Sequence, residues 1–175
     1  MQEIKGVLIS KEEISEKVKE LAKRITDDYN GIEFVMVGVL KGGFVFLADL
    51  IREIEIPFVL DFIAVGSYGN ATTSSGNIRL LKDMDIDITG MHVLIVEDMI
   101  DTGITLKYLK EFLLARGSKS VKACVAFDKP SRRRSDVVIE YKGIEVPDEF
   151  VVGYGLDYCG KFRNLPDLCI LKPCS

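Results

Sequence analysis

A single histidine, His92, serves the whole 175-residue chain, and its isolation removes several common chemistries. It directly precedes an apolar run and reads as structural, so no Ser-His-Asp arrangement is supported. The four cysteines, Cys124, Cys159, Cys169 and Cys174, lack C-x-x-C spacing and have only that histidine to join them as metal ligands. They read as reduced structural thiols. No apolar run approaches the roughly 20 residues that cross a bilayer. The opening Met1-Gln2-Glu3-Ile4-Lys5 carries no signal core, so the expectation is a cytoplasmic protein with no membrane partner. An excess of positive charge is also missing: the formal net charge is -4, which argues against broad nucleic-acid binding. There is no G-x-G-x-x-G, and after Gly38 and Gly43 the Lys-Ser/Thr of a Walker A loop is replaced by Phe44-Val45. With no repeat or low-complexity tract, the length fits one domain able to bury its own core.

What is present alternates between two periods. Ser10 and Glu13 make a capping-box pattern ahead of Ile14, Val18, Leu21 and Ile25, which predicts a first helix to about Tyr29, closed by Asn30-Gly31. Phe34 to Val37, Val93 to Val96 and Val121 to Phe127 are apolar without alternation, as strands covered on both faces are. A second helix is predicted from near Gly43 through Phe46, Leu47, Leu50, Ile51 and Ile54, and a third from Thr105 to Arg116, ended by Gly117. Between strand-like Phe58 to Val65 and Ile78 to Leu81 lies a small, polar stretch from Ser67 to Gly76. It is predicted to be a lid on a two-stranded ribbon. The pattern predicts an α/β fold with a doubly wound, mostly parallel sheet, in which ligands sit beyond the carboxyl ends of the strands.

Two strand ends carry candidate chemistry. Val93 to Val96 deliver Glu97 and Asp98 and then Asp101, while Thr102, Gly103 and Thr105 immediately precede a helix. Backbone N–H groups and hydroxyls at such a turn form an anion cradle. Carboxylates beside it would repel a bare phosphate, so the combination makes sense if a ribose diol or a divalent cation lies between them. An acidic turn that merely caps a helix is the plainer alternative. At the second end, Pro130 stops the strand and leaves Lys129 in a turn on the same edge. The run Arg132-Arg133-Arg134 reads as a solvated stretch or a subunit contact.

Five separated segments together resemble the type I phosphoribosyltransferase family, and in particular its hypoxanthine-guanine members. They are Gly38-Val39-Leu40-Lys41-Gly42-Gly43, Ser67-Tyr68-Gly69, the run from Val93 to Thr105, Asp128-Lys129-Pro130, and Val146 to Tyr158. The resemblance implies one domain over residues 1–175, with a core of about 30–145, a small hood from about 1–10 and 146–175, and a flexible flap. It implies transfer of the 5-phosphoribosyl group from phosphoribosyl pyrophosphate to hypoxanthine or guanine, with Mg2+ as cofactor and a homodimer or homotetramer as the working form. Glu97 and Asp98 are assigned to the ribose hydroxyls, directly or through the metal, and Asp101, Thr102, Gly103 and Thr105 to the 5-phosphate. Asp101 also lies near purine N7 and takes the proton lost by the base. Leu40, Lys41 and Gly42 form a pyrophosphate loop with a cis Leu40–Lys41 peptide, aided by Arg163. Lys129, Phe150 (by stacking), Val151 and Asp157 meet the purine, Asp157 also contacts the metal, and Ser67 and Tyr68 close the flap. Phe150 as plain core stays open as the alternative. A nucleic-acid-binding regulator on the same fold is disfavoured by the acidic balance and by the absence of an added helix-turn-helix. Gly155 and the run Cys159-Gly160-Lys161 depart from the family's pattern as we know it and are expected to stay clear of the catalytic groups.

Overall fold

A computed structural model describes residues 3–67 and 78–172; Tyr68 and the expected lid as far as Gly76 lie outside the described residues. In chain order the elements are β1 (Ile4–Ile9), α1 (Lys11–Tyr29), β2 (Phe34–Leu40), α2 (Phe44–Glu53), β3 (Val59–Ser67), β4 (Ile78–Lys82), β5 (His92–Ile100), α3 (Ile104–Ala115), β6 (Ser120–Asp128), β7 (Tyr141–Glu145), β8 (Val151–Val152) and β9 (Leu168–Leu171). Six strands form one sheet in the order β4-β3-β2-β5-β6-β7. All its pairs are parallel except β3 with β4, which form the ribbon expected around the lid. β1, β9 and β8, from the two chain ends, pair antiparallel in a second small sheet.

The continuous apolar runs divide their residues between two cores. Met36, Leu94, Val96, Cys124 and Ala126 pack with α1 and α2, whereas Val35, Val37, Val39, Val93, Ile95, Ala123 and Val125 pack with Leu106, Leu109 and Leu113 of α3. A strand sends successive side chains to opposite faces, so burial on both faces requires apolar residues at every position. Each fully buried side chain of this kind contributes about 1.5–3 kcal/mol. α1 begins with the expected capping box: Glu13 N–H donates to Ser10 Oγ at 3.3 Å, and Ser10 N–H donates to Glu13 Oε2 at 2.9 Å. Its stripe of Ile14, Val18, Leu21, Ala22, Ile25 and Tyr29 is buried.

One boundary differs from the sequence expectation in a way that matters for function. β5 continues past Val96 to Ile100, because Met99 and Ile100 pair with Phe127 and Asp128 of β6. Glu97 and Asp98 therefore lie inside the strand, and alternation separates them. Glu97 lines a cavity beside α3, while Asp98 Oδ2 lies so close to Gly42 that a Cβ there would fall 1.6 Å from it.

Candidate active site

From β2 the chain moves outward to β3 in one direction, and it later returns to place β5 on β2's other side. Between β2 and β5 the winding reverses, and at such a point the loops leaving the two strands diverge and open a crevice. The Leu40–Gly43 loop and the Asp101–Gly103 loop flank that crevice. Leu40–Lys41 is a cis peptide, and Lys41 is exposed. Position 43 is also tight, since a Cβ there would come within 2.8 Å of Val39 O.

Beyond β5 the backbone turns at Gly103, φ +81, into α3 without a side-chain cap. Ile104 N–H donates to Thr102 Oγ1 at 3.4 Å, and the next N–H groups of the first turn face a cavity of about 90 Å³ lined by Glu97, Asp101, Thr102, Gly103 and Thr105. Free N–H groups and the positive end of the helix dipole suit an anion there. Glu97 is 8% exposed, and burial, reinforced by the neighbouring Asp98 carboxylate, pushes its carboxyl up to about 8. Burial likewise raises Asp98, to about 6, against the lowering effect of Met99 N–H and Arg163.

A magnesium ion fits this chemistry in one mode only. Among the described residues no three His, Cys, Asp or Glu side chains are grouped to hold a metal by themselves, so Glu97, Asp98 and Asp157 do not form a shared cage. Magnesium commonly takes one or two carboxylates and completes its shell with water and substrate oxygens, and either buried carboxylate of β5 offers one such oxygen ligand.

The remaining candidates form two groups around this centre. At the end of β6, Lys129 is only 6% exposed; its N–H donates to Ile100 O at 2.9 Å and its ammonium to Glu149 O at 2.7 Å. Burial pulls its pKa down, and Asp101 acts in the opposite sense. Phe150, the next residue after Glu149, is 53% exposed and meets Tyr158 edge to face at 5.4 Å, while Val151 is buried. An aromatic ring this open is not core. On the α2 side, Arg163 donates to Gly155 O at 2.7 Å and pairs with Asp157 at 2.5 Å. Ser67 ends β3.

Three residues or runs read as bystanders are not bystanders. Arg132 Nε lies 2.9 Å from Asp101 Oδ1, Arg132 Nη1 lies 3.3 Å from Asp148, and Arg133 pairs with the buried Asp128. Arg134 and Ser135 N–H groups both donate to Thr102 O, so this turn folds back over the anion loop while Arg132 and Arg134 stay exposed. Its cause is visible in the chain: Pro130 opens a short 3₁₀ turn. Gly155, φ +94, abuts the crevice, since a Cβ there would fall 2.2 Å from Gly42 O. In the Cys159-Gly160-Lys161 run, Gly160 N–H donates to Asp157 Oδ2 at 2.7 Å. The residue types were visible as a cationic run after Pro130 and as a glycine after Tyr154, but only folding shows what each one touches.

Comparison with known proteins agrees with the geometry. Residues 9–159 match the phosphoribosyl transferase domain family. Over 171 residues the chain is 49% identical to the hypoxanthine-guanine phosphoribosyltransferase of Bacillus subtilis (strain 168), covering 98% of this chain and 95% of that protein. It is 48% identical over 162 residues to the hypoxanthine phosphoribosyltransferase of Salmonella typhimurium, covering 91% of each. A crystal structure of a hypoxanthine-guanine phosphoribosyltransferase from Bacillus anthracis superposes with a TM-score of 0.91 at 51% identity, covering 96% of this chain and 99% of that one.

Proposed function

The chain belongs to the phosphoribosyl transferase family, among the hypoxanthine-guanine phosphoribosyltransferases, and on that premise we propose how its residues divide the work of joining a 6-oxopurine to ribose 5-phosphate. The C1′–O bond to pyrophosphate breaks and a bond from C1′ to purine N9 forms. The proton at N7 passes to Asp101, and pyrophosphate leaves with the electron pair of the broken bond. The observation that carries this reading is the position of Asp101. Its carboxylate stands at the rim of the anion cavity, near the ammonium of Lys129, so one side chain borders both the phosphate and the base ends of a nucleotide.

Thr102, Gly103, Thr105 and the open N–H groups of α3 take the 5-phosphate. Glu97 and Asp98, on opposite faces of β5, address the ribose and donor oxygens. Magnesium, held by Glu97 or by Asp98 with Asp157 nearby, would offset charge on the departing pyrophosphate. Lys41 and the Arg163 fork bind that pyrophosphate, and the Leu40–Gly42 backbone lines its seat. Phe150 stacks on the purine, Val151 meets its edge through the backbone, and Lys129 donates to O6. Of the ammonium's three hydrogens, Glu149 O uses one, so donors remain for an oxo group; an ammonium cannot accept from the amino group of adenine.

Release of pyrophosphate is the test. With magnesium and phosphoribosyl pyrophosphate present, hypoxanthine and guanine should support turnover and adenine should not, and chelation of magnesium should stop it. Absence of turnover with both oxopurines would remove the assignment.

A further inference from the structure

We propose that Arg132 is a positioning residue for the reaction: it fixes the Asp101 carboxylate and ties it to the segment that carries the purine-stacking ring. This rests on the role of Asp101 given above and adds a residue to it. Asp101 Oδ1 is buried with no hydrogen-bond donor among the described residues. What it has instead is the ion pair with Arg132, whose Nε lies at 2.9 Å. With one oxygen held against the guanidinium, Oδ2 is left to face a substrate proton.

The other edge of the same guanidinium reaches Asp148 at 3.3 Å. Asp148 is two residues before Phe150, and the intervening Glu149 carbonyl is the one that holds Lys129. A single planar group therefore spans from the proton acceptor to the base platform. The turn that bears it is itself fastened, because Arg132 N–H donates to Lys129 O at 3.2 Å and the following Arg134 and Ser135 N–H groups donate to Thr102 O at 2.9 and 3.0 Å. Planarity makes this a role for arginine: lysine presents a point charge on a flexible stem and cannot serve two carboxylates in fixed directions. Stability is not the purpose. Both partners are about two-fifths exposed, where an ion pair adds little to folding.

The experiment is a kinetic cycle of Arg132→Gln, Arg132→Lys, Asp101→Asn and the double variant Arg132→Gln/Asp101→Asn, with kcat and KM for donor and purine. Arg132→Gln should lower kcat by about ten- to a hundredfold, the range that a displacement of about 1 Å in a reacting group costs. KM for phosphoribosyl pyrophosphate should stay within about twofold, and Arg132→Lys should recover only part of the rate. In the Asp101→Asn background, Arg132→Gln should cost almost nothing further, because residues that act as a unit are not additive. Millimolar guanidinium should restore rate to Arg132→Ala and leave Asp101→Asn unchanged. Undiminished kcat in Arg132→Gln, or an equal loss in both backgrounds, overturns the proposal alone. Full kcat in Asp101→Asn overturns the role of Asp101, and this proposal falls with it.

Discussion

The two sheets of this protein earn their shapes differently. In the six-stranded sheet, β2, β5 and β6 are sealed on both faces, and their functional groups emerge where sealed backbone ends. The small sheet is short, β8 holding only two residues, and the chain between β8 and β9 is shaped by turns. Gly153, Tyr154, Gly155, Cys159, Gly160 and Phe162 all adopt positive φ, and hydrogen bonds such as Tyr154 N–H to Leu165 O hold the turns. Side chains such as Phe150 are presented by this scaffold largely in the open. Sealed strands on one side and turns on the other suit the proposed division, in which phosphates and ribose need fixed partners and a flat base needs a surface.

The largest expected effect breaks chemistry on the sealed side without touching the fold. Asp101→Asn keeps the shape and removes the proposed proton acceptor, so kcat should fall by about 10²–10⁴-fold. Donor affinity and melting temperature should hardly move. Isothermal binding of phosphoribosyl pyrophosphate together with steady-state kinetics checks it; weakened donor binding with unchanged kcat would reassign the residue to the phosphate. Next in size is a substitution that breaks the same sheet from within. Leu94 is fully buried beside α1 and α2, and Leu94→Ala should cost about 2–5 kcal/mol in denaturant unfolding.

Phe150→Ala supplies the opposite pattern in the small sheet's territory. A core phenylalanine would cost about 3–5 kcal/mol, but at 53% exposure the loss should stay within about 1 kcal/mol. KM for hypoxanthine should instead rise roughly 5- to 150-fold, as expected for about 1–3 kcal/mol of base stacking. A large stability loss with unchanged KM would return Phe150 to the core.

This division also explains what could be read before folding. The sealed strands announce themselves by uninterrupted apolar runs, and the groups at their ends follow by adjacency: Asp101, Thr102 and Lys129 all stand at the predicted edge. Misplaced features depend on partners distant in sequence. β5 runs four residues beyond Val96 because β6 pairs with it that far, and that extension sets Glu97 and Asp98 on opposite faces. Arg132 looks solvated until the turn at Pro130 brings it to Asp101. Gly155 looks incidental until its missing Cβ is seen to clear Gly42 O. Local pattern encodes burial, whereas the register of strands and the path of turns are settled by contacts that no window of sequence contains.

The smallest expected effect asks what the sealed side gives up to keep a carboxylate in its wall. Glu97 ionises near the ordinary glutamate value of 4.5 when unfolded but at about 8 in the folded, ligand-free protein. Between those values the native state binds more protons than the unfolded one, so stability should fall as pH rises through that window. Asp98, raised to about 6, acts in the same direction. Glu97→Gln, which mimics the protonated form, should therefore flatten the decline and melt about 3 °C or more above the parent at pH 8, while showing no gain at pH 4. Its turnover should fall, since the amide cannot offer a charged ligand to a cation. Magnesium with donor should stabilise the parent more at pH 8 than at pH 6, because binding draws on the ionised carboxylates. A melting temperature independent of pH from 5 to 8 in both proteins would show that Glu97 is not held protonated by its surroundings, and that the wall tolerates its charge without a bound cation.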